Sequence, residues 1–144
     1  FLNVGLEHGR GHLARALFEG IALNLRWLRG PAERFAGREF PEFAVYGGGA
    51  QSDLWCQTLA DVFAAPVHQL DHPGHANCVG VGLFGLAQLG VLDGAAIRAG
   101  VRATYTPNAD SAAVYDELSA RFRQAFRQTK PLFHSLYDAR RRLR

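Results

Sequence analysis

Apolar and small residues, with one asparagine among them, recur at helical spacing through the first third of the chain. The positions are Leu13, Ala16, Leu17, Gly20, Ile21, Asn24, Leu25 and Leu28. They predict a helix over about residues 7–35. Gly30-Pro31 predicts a break in this helix, because proline disfavours helical geometry in the residue before it.

A strand, a glycine turn and a second helix come next. Residues 43–46 form a short run of strand-forming residues that stops at three consecutive glycines. Residues 53–64 carry apolar side chains at helical spacing and predict the second helix. Ser52 or Asp53 can cap its N-terminus.

The second half of the chain alternates between the same kinds of element. Residues 66–70 predict a short strand, and residues 76–89 predict a helix with Gly90 at its C-cap. Residues 93–98 predict one short helix. The final helix carries an apolar stripe formed by Val114, Leu118, Phe122 and Phe126. We expect Pro131 to bend or end it.

Strands that alternate with helices indicate an α/β protein. With 144 residues, of which 48% are hydrophobic, residues 1–144 are predicted to form a single domain. Two predicted strands are fewer than a stable sheet normally contains. We therefore expect the chain to be part of a larger fold, with the other strands before Phe1.

Composition and charge argue against several classes of function. The net charge is only +3, and much of the basic excess lies in the tail after residue 139, so we expect no nucleic-acid partner. No apolar run approaches the roughly 20 residues of a membrane span. The two cysteines suggest neither a disulfide framework nor a zinc site. We expect a reduced, cytoplasmic protein with no membrane partner.

The glycine turn is the strongest candidate for chemistry. Glycine allows positive φ and admits a ligand where a Cβ atom would collide. The helix that follows adds unpaired N–H donors and the positive end of its dipole. A strand, a glycine turn and a helix N-terminus together favour a nucleotide ligand, although a tight turn without any ligand has the same local sequence.

The residues after the glycines make the interpretation specific. Gly47, Gly48, Gly49, Ala50, Ser52, Trp55, Gln57, Ala60 and Asp61 form the pattern Gly-Gly-Gly-Ala-x-Ser-x-x-Trp-x-Gln-x-x-Ala-Asp. This pattern resembles the adenosine-side motif of the FGGY family of carbohydrate kinases. Three further parts of the chain also resemble family segments, in the family's order: residues 11–16 with 19–22, residues 75–83, and the four positions Tyr105, Pro107, Tyr115 and Phe122.

The resemblance implies an α/β fold that is part of the C-terminal lobe of an actin/hexokinase-like (ribonuclease H-like) ATPase. It implies transfer of a phosphoryl group from ATP, with Mg²⁺, to a sugar. Residues 24–27 and 51–56 most resemble family members that act on D-xylulose. The residues that the resemblance assigns to ATP or ADP are Gly47, Gly48, Gly49, Ala50, Ser52 and Asp53. It assigns no catalytic residue here.

The family's phosphate loop, Asp-x-Gly-Thr, does not occur in the sequence. The family's catalytic aspartate also lies before the part that aligns with this chain. We therefore expect a C-terminal fragment of a kinase that is inactive alone, with the sugar bound mainly by a preceding part. A half-fold with exposed sheet edges tends to pair, so a homodimer is also a candidate assembly.

Gly80, Gly82 and Gly85 match the Gly-x-Gly-x-x-Gly fingerprint of dinucleotide-binding proteins. That fingerprint must follow a strand directly and open a helix, whereas a loop with a proline intervenes here. We expect instead a bare helix face that lets a neighbouring element pack closely.

Other polar residues are predicted to have structural or flanking roles. The histidines at 68, 72 and 75 lie near Asp71, and sequence shows no convergence on a metal. We expect a polar loop beside the nucleotide cleft. Glu19 is either a buried, paired carboxylate or a solvent-facing one. Asp61 is expected to form a structural pair, for instance with an arginine.

Two other classes of function remain open at this stage. The chain could be a non-catalytic module that keeps the fold, or a stand-alone assembly domain. Stabilisation by ATP or ADP distinguishes a nucleotide-binding module from one that binds none. Concentration-dependent size in solution would favour assembly.

Overall fold

The computed structural model describes residues 3–142 and contains, within them, four helices and three strands joined by short 3-10 turns. The elements are α1 (Arg10–Ala36), β1 (Phe43–Val45), α2 (Asp53–Phe63), β2 (Val67–Leu70), α3 (Ala76–Gln88), β3 (Val101–Tyr105) and α4 (Ala112–Arg142). The α/β class predicted from the alternation of strands and helices is confirmed.

The sheet has the strand order β1-β2-β3. Strand β2 runs parallel to β1, with Val67 opposite Phe43, and antiparallel to β3, with Val67 opposite Tyr105. The sequence interpretation missed β3. Its residues Val101 and Arg102 are exposed, so the strand lacks the run of apolar residues that a buried strand would carry.

The two faces of the sheet differ in character. The face that includes Phe43, Val67 and Tyr105 packs into the core, as the two-residue repeat of a strand requires. On the other face, Nδ1 of His68 lies 2.9 Å from Oγ1 of Thr104, and its Nε2 lies 3.0 Å from a carboxylate oxygen of Glu42. Among the described residues, helices therefore cover one face of the sheet.

Helix α2 is the centre of the core. Its buried residues are Cys56, Thr58, Leu59, Ala60, Asp61, Val62 and Phe63. Burial of nearly consecutive residues means that the helix is covered around its circumference from Cys56 to Phe63, whereas Asp53 and Leu54 in its first turn are exposed. It packs against β2 and β3 and also against α1 and α4. The single polar hydroxyl in its middle, that of Thr58, donates to the Leu54 carbonyl at 2.7 Å.

A three-residue polar network joins α1 to α4. The Tyr115 hydroxyl donates to Oε1 of Glu19 at 2.9 Å and accepts a hydrogen bond from Nη2 of Arg15 at 2.7 Å. Arg15 Nε also donates to Glu19 at 2.7 Å. Tyr115 is only 5% exposed. Of the two alternatives for Glu19, the paired and partly buried carboxylate is the correct one.

Helix α1 does not break at Gly30-Pro31 as predicted, but continues through Pro31 to Ala36. Glu33 stabilises this last turn, because its carboxylate accepts hydrogen bonds from Arg29 Nε and from the Phe40 amide, both at 2.8 Å. These two bonds hold the pKa of Glu33 below its ordinary value. The helix ends where Gly37 takes a left-handed conformation, with φ of 65°.

The apolar stripes that the spacing identifies on α1 and α4 lie largely outside the core. Exposed members of these stripes are Leu17, Ile21, Leu25, Leu28, Val114, Leu118 and Phe126. The face of α4 that is buried carries Tyr115 and Ser119. An open groove of about 660 Å³ runs between α1 and α4, with Leu17, Ile21 and Leu118 among its lining residues. We call it the α1–α4 groove.

The remaining predictions have mixed outcomes. The C-cap of α3 is Leu89 and not Gly90 as predicted; Gly90 is the next residue, in a left-handed conformation with φ of 73°. Residues 93–98 form only a 3-10 turn, Gly94–Ala96, and not a helix. Pro131 does not end α4, which continues to Arg142. No helix within residues 3–142 is both long enough and apolar enough to cross a membrane.

Replacing Tyr115 with phenylalanine tests the link between α1 and α4. The change keeps the ring in the core but removes the hydroxyl that bonds Glu19 and Arg15. We expect the free energy of unfolding to fall by about 1–2 kcal/mol, as measured by chemical denaturation. The control Tyr137→Phe, at a side chain that is 62% exposed, should change it by less than about 0.5 kcal/mol. Equal effects of the two changes would contradict the role of the network.

Candidate functional site

The glycine turn begins where β1 ends. Gly47 has φ of 92°, a conformation that glycine adopts without a steric penalty. Its N–H donates to the Pro73 carbonyl at 2.7 Å, which ties the glycine turn to the loop after β2. A 3-10 turn, Gly48–Gln51, then carries the chain towards α2.

Ser52, and not Asp53, is the N-cap of α2. Its backbone is extended, with φ of −95°, and its hydroxyl accepts a hydrogen bond from the Trp55 amide at 3.3 Å. Its carbonyl accepts the first helical bond, from the Cys56 amide, at 3.0 Å. This geometry aligns the first turn of α2 with the end of the glycine turn.

The three residues in the middle of the turn differ in access. Gly48 and Gly49 are exposed, whereas Ala50 is only 2% exposed. A Cβ atom added at Gly48 would meet nothing within 4 Å, and one at Gly49 would lie 3.3 Å from Nε1 of Trp55. The bare backbone that a ligand can approach is therefore that of Gly48 and Gly49.

An open recess of about 520 Å³ lies beside these glycines, on the side of α1. Its lining residues are Phe18, Ile21, Gly48, Gly49, Gln51, Ser52 and Trp55. The Phe18 and Trp55 rings are in contact, with centroids 5.5 Å apart. We call this the apolar recess. Aromatic and aliphatic walls next to bare backbone suit a flat, weakly polar group.

A second open recess, of about 450 Å³, lies on the side of the loop after β2. Its lining residues are Gln51, Asp71, His72, Pro73, Gly74, His75 and Arg102. The predicted polar loop thus does flank the glycine turn, although His68 lies apart from it. Within residues 3–142, no three His, Cys, Asp or Glu side chains are grouped so that they could hold a metal ion.

Asp53 belongs to a hydrogen-bonded network beneath the turn. Its Oδ1 accepts a hydrogen bond from the Tyr105 hydroxyl at 2.8 Å, and Nε2 of Gln69 lies 3.4 Å from the same atom. The pKa of Tyr105 is raised to about 12. Burial is the largest cause, and the hydrogen bond to Asp53 and the negative charge of Asp53 add to it. Gln69 also donates to the Ala50 carbonyl at 2.6 Å.

Asp61 has the structural role that the sequence predicts, but its partners are not arginines. Its Oδ1 accepts hydrogen bonds from the Asn108 amide and from Nε2 of Gln57, both at 2.8 Å. Gln57 also donates to the Thr106 carbonyl at 2.9 Å. These bonds fasten the segment before α4 to α2.

The dinucleotide alternative finds no support. Gly80, Gly82 and Gly85 lie inside α3 and do not open it, and β2 ends well before the helix begins. The expected close packing on these glycines is also wrong within the described residues, because an added Cβ at any of them would meet nothing within 4 Å.

Of the six predicted nucleotide-binding residues, Gly48, Gly49 and Ser52 line the apolar recess, whereas Gly47, Ala50 and Asp53 do not. Sequence reasoning missed the residues that α1, β2 and β3 bring to the glycine turn, namely Phe18, Ile21, Gln69 and Tyr105. For Gln69, the sequence did contain one indication of an unusual position. It shares a strand face with Val67, so a polar residue stands on the inward face of β2.

Comparison with known proteins gives the class of protein. Residues 1–89 match the model of the FGGY family of carbohydrate kinases, C-terminal domain. The match covers more than half of the chain, and the chain therefore belongs to this family. Its fold is accordingly part of the C-terminal lobe of these actin/hexokinase-like kinases, as the resemblance implied.

Individual relatives agree with this assignment. Xylulose kinase of Lactococcus lactis subsp. lactis (strain IL1403) is 28% identical over an alignment of 144 positions, which covers 96% of this chain and 28% of that protein. Gluconokinase of Bacillus subtilis (strain 168) is 27% identical, over 99% of this chain and 28% of its own length.

The crystal structure of xylulose kinase from Rhodospirillum rubrum superposes with a TM-score of 0.70 at 29% identity. That superposition covers 93% of this chain and 28% of the larger one. The chain thus spans less than a third of the length of the relatives it matches.

The raised pKa of Tyr105 predicts how stability changes in alkali. A phenol whose pKa is higher in the folded protein than in the unfolded chain stabilises the fold fully below its unfolded pKa, near 10. That contribution is lost as the pH rises through about 12. In denaturant titrations from pH 9 to 12, Tyr105→Phe should flatten the decline in stability. Part of the decline should remain, because the pKa of Tyr115 is also raised. If stability falls with pH as steeply in Tyr105→Phe as in the unsubstituted chain, the raised pKa assigned to Tyr105 is contradicted.

Proposed function

We propose that this chain forms the adenosine side of the nucleotide site in an FGGY carbohydrate kinase. The observation that carries the proposal is the exposed backbone of Gly48 and Gly49 at the apolar recess. Without Cβ atoms, these residues allow the ribose or base to approach the chain closely. Phe18 and Trp55 provide aromatic walls against which a purine can pack.

The start of α2 supports the same ligand. The positive end of a helix dipole favours negative charge, so the first turn of α2 would stabilise a phosphate group of ATP or ADP near Ser52. The volume of the apolar recess falls within the range of roughly 300–1,000 Å³ that is typical of small-molecule sites. ATP and ADP both carry the base, the ribose and the phosphate groups that these features would bind.

In the intact kinase, the γ-phosphoryl group of ATP would pass to a hydroxyl of a sugar. We propose D-xylulose as that sugar, because relatives from Lactococcus lactis and Rhodospirillum rubrum are named xylulose kinases. The gluconokinase of Bacillus subtilis makes gluconate the main competitor. Most of the sugar site would belong to protein that this chain does not span.

Mg²⁺ would accompany the phosphates of ATP and neutralise charge during transfer. We assign it no ligand in this chain. We place the protein in the cytoplasm, where ATP is available. This agrees with the free thiols of Cys56 and Cys78.

Thermal unfolding in the presence of ADP tests the nucleotide site. A ligand that binds only the folded state stabilises it, by about 2.7 kcal/mol at a concentration 100 times its dissociation constant. We expect ADP to raise the melting temperature of the chain by several degrees. Gly48→Val should abolish most of this shift, because its side chain would occupy the space in which the ligand approaches.

Gly82→Val is the matched control. It adds the same side chain to a glycine that also has nothing within 4 Å, but on α3 and away from the turn. It should leave the ADP-dependent shift unchanged. Gly49→Val is a poorer probe, because its Cβ would also press on Trp55. An ADP-dependent shift that survives Gly48→Val would contradict the proposed site.

The α1–α4 groove favours a second, structural role. Several large apolar side chains border it, and Leu17 is 55% exposed. Monomeric proteins rarely leave such patches uncovered. We propose that the groove docks protein from the part of the kinase that this chain does not span, because the relatives are much longer.

Thiol labelling tests this docking. Leu17→Cys, in a Cys78→Ser background, should react quickly with a thiol reagent in the 144-residue chain and at least tenfold more slowly in a longer polypeptide from the same reading frame. Gln128→Cys, which is exposed on α4, should react equally in both. Slow labelling of Leu17→Cys in the short chain that quickens on dilution would indicate a homodimer instead. Equal rates in both polypeptides would contradict the proposal.

A further inference from the structure

We propose that Gln69 and Tyr105 are positioning residues that hold the glycine turn in its ligand-ready conformation without touching the nucleotide. They would act through Ala50 and Asp53, which lie at the C-terminal end of the turn. This inference rests on the proposed nucleotide site. It adds two residues, from β2 and β3, that no motif in the sequence assigns to it.

Gln69 is placed where an apolar residue would be expected. It lies on the inward face of β2, in register with Val45 and Ala103, and it is 0% exposed. A buried amide is costly unless its hydrogen bonds are made. Nε2 of Gln69 makes a 2.6 Å hydrogen bond to the Ala50 carbonyl and lies 3.4 Å from Oδ1 of Asp53.

Both backbone polar groups of Ala50 are hydrogen-bonded. Its N–H donates to the Gly47 carbonyl at 3.1 Å, and its carbonyl accepts from Gln69. Sγ of Cys56 lies 3.7 Å from the same carbonyl. Gly48 and Gly49 lie between the hydrogen-bonded residues Gly47 and Ala50. Glycine is the most flexible residue in the unfolded chain, so the turn depends on such anchors for its order.

Tyr105 holds the Asp53 side chain of this network. Its hydroxyl donates to Oδ1 of Asp53 at 2.8 Å and lies 3.4 Å from Oε1 of Gln69. The three side chains thus form a closed set that joins β2, β3 and the first turn of α2. The network orients Asp53 and Ala50 before any ligand arrives. Preorganisation of this kind reduces the entropy that binding must overcome.

Two measurements on Gln69→Met test the inference. Methionine has a similar length but no donor for the Ala50 carbonyl. We expect the affinity for a fluorescent ADP analogue to fall roughly three- to tenfold, the equivalent of one lost hydrogen bond. Hydrogen exchange followed by mass spectrometry should show faster exchange at residues 47–53, while the helices stay protected. A merely structural role would instead raise exchange throughout the domain.

Tyr105→Phe and His68→Gln complete the test. Tyr105→Phe keeps the ring and should cause a smaller change of the same kind, and it serves if Gln69→Met does not fold. His68→Gln is the matched control, because it alters a hydrogen-bonded residue on the outer face of the same strand. It should leave ADP affinity and exchange at the turn unchanged.

The outcomes separate the two proposals. If the unsubstituted chain does not bind the ADP analogue, the proposed nucleotide site fails, and this inference fails with it. If that chain binds, while folded Gln69→Met and Tyr105→Phe bind equally tightly with unchanged exchange at residues 47–53, only the positioning role is overturned.

Discussion

Burial of α2 around its circumference from Cys56 to Phe63 is the constraint on which the rest of this structure depends. A helix packed between a sheet and two other helices cannot shift or rotate without opening the core on every side. The residues at its N-terminus therefore take up a fixed position. The glycine turn lies there, between Gly47 and Ser52, so a segment with little intrinsic order is attached to the most deeply buried helix that the structure describes.

Two of the buried polar side chains, those of Asp61 and Gln69, fix irregular segments around α2. Asp61 bonds the amide of Asn108 and so anchors the segment before α4. Gln69 bonds the carbonyl of Ala50. Each of these buried groups has its hydrogen-bonding partners close at hand, as the cost of burial requires. The core thus specifies the paths of irregular segments as well as the packing of helices.

Sequence predicted the elements around the motif better than it predicted what they contact. The strand, glycine turn and helix of residues 43–64 were identified because turn chemistry and capping are local. The contributions of Phe18, Gln69 and Tyr105 were missed, since they depend on which distant elements become neighbours.

Periodicity correctly located stripes on α1 and α4, but it could not tell which face meets the described core. Leu17 and Leu118 border an open groove, whereas Tyr115 and Ser119 are buried. Gly30-Pro31 was misjudged because the bonds to Glu33 stabilise the turn that follows. The resemblance to the family was confirmed, because it rests on the identity and order of particular residues and not on hydrophobic spacing alone.

The hydrogen bond from the Gly47 amide to the Pro73 carbonyl makes the two loops beside the site parts of a single mechanical unit. The apolar recess lies on one side of this bond and the polar recess on the other, with Gln51 lining both. A displacement of either loop strains the same bond. Where a group that binds at the polar loop shifts this bond and so changes affinity at the glycines, thermodynamic linkage requires that a ligand at the glycines change the affinity of that group by the same factor.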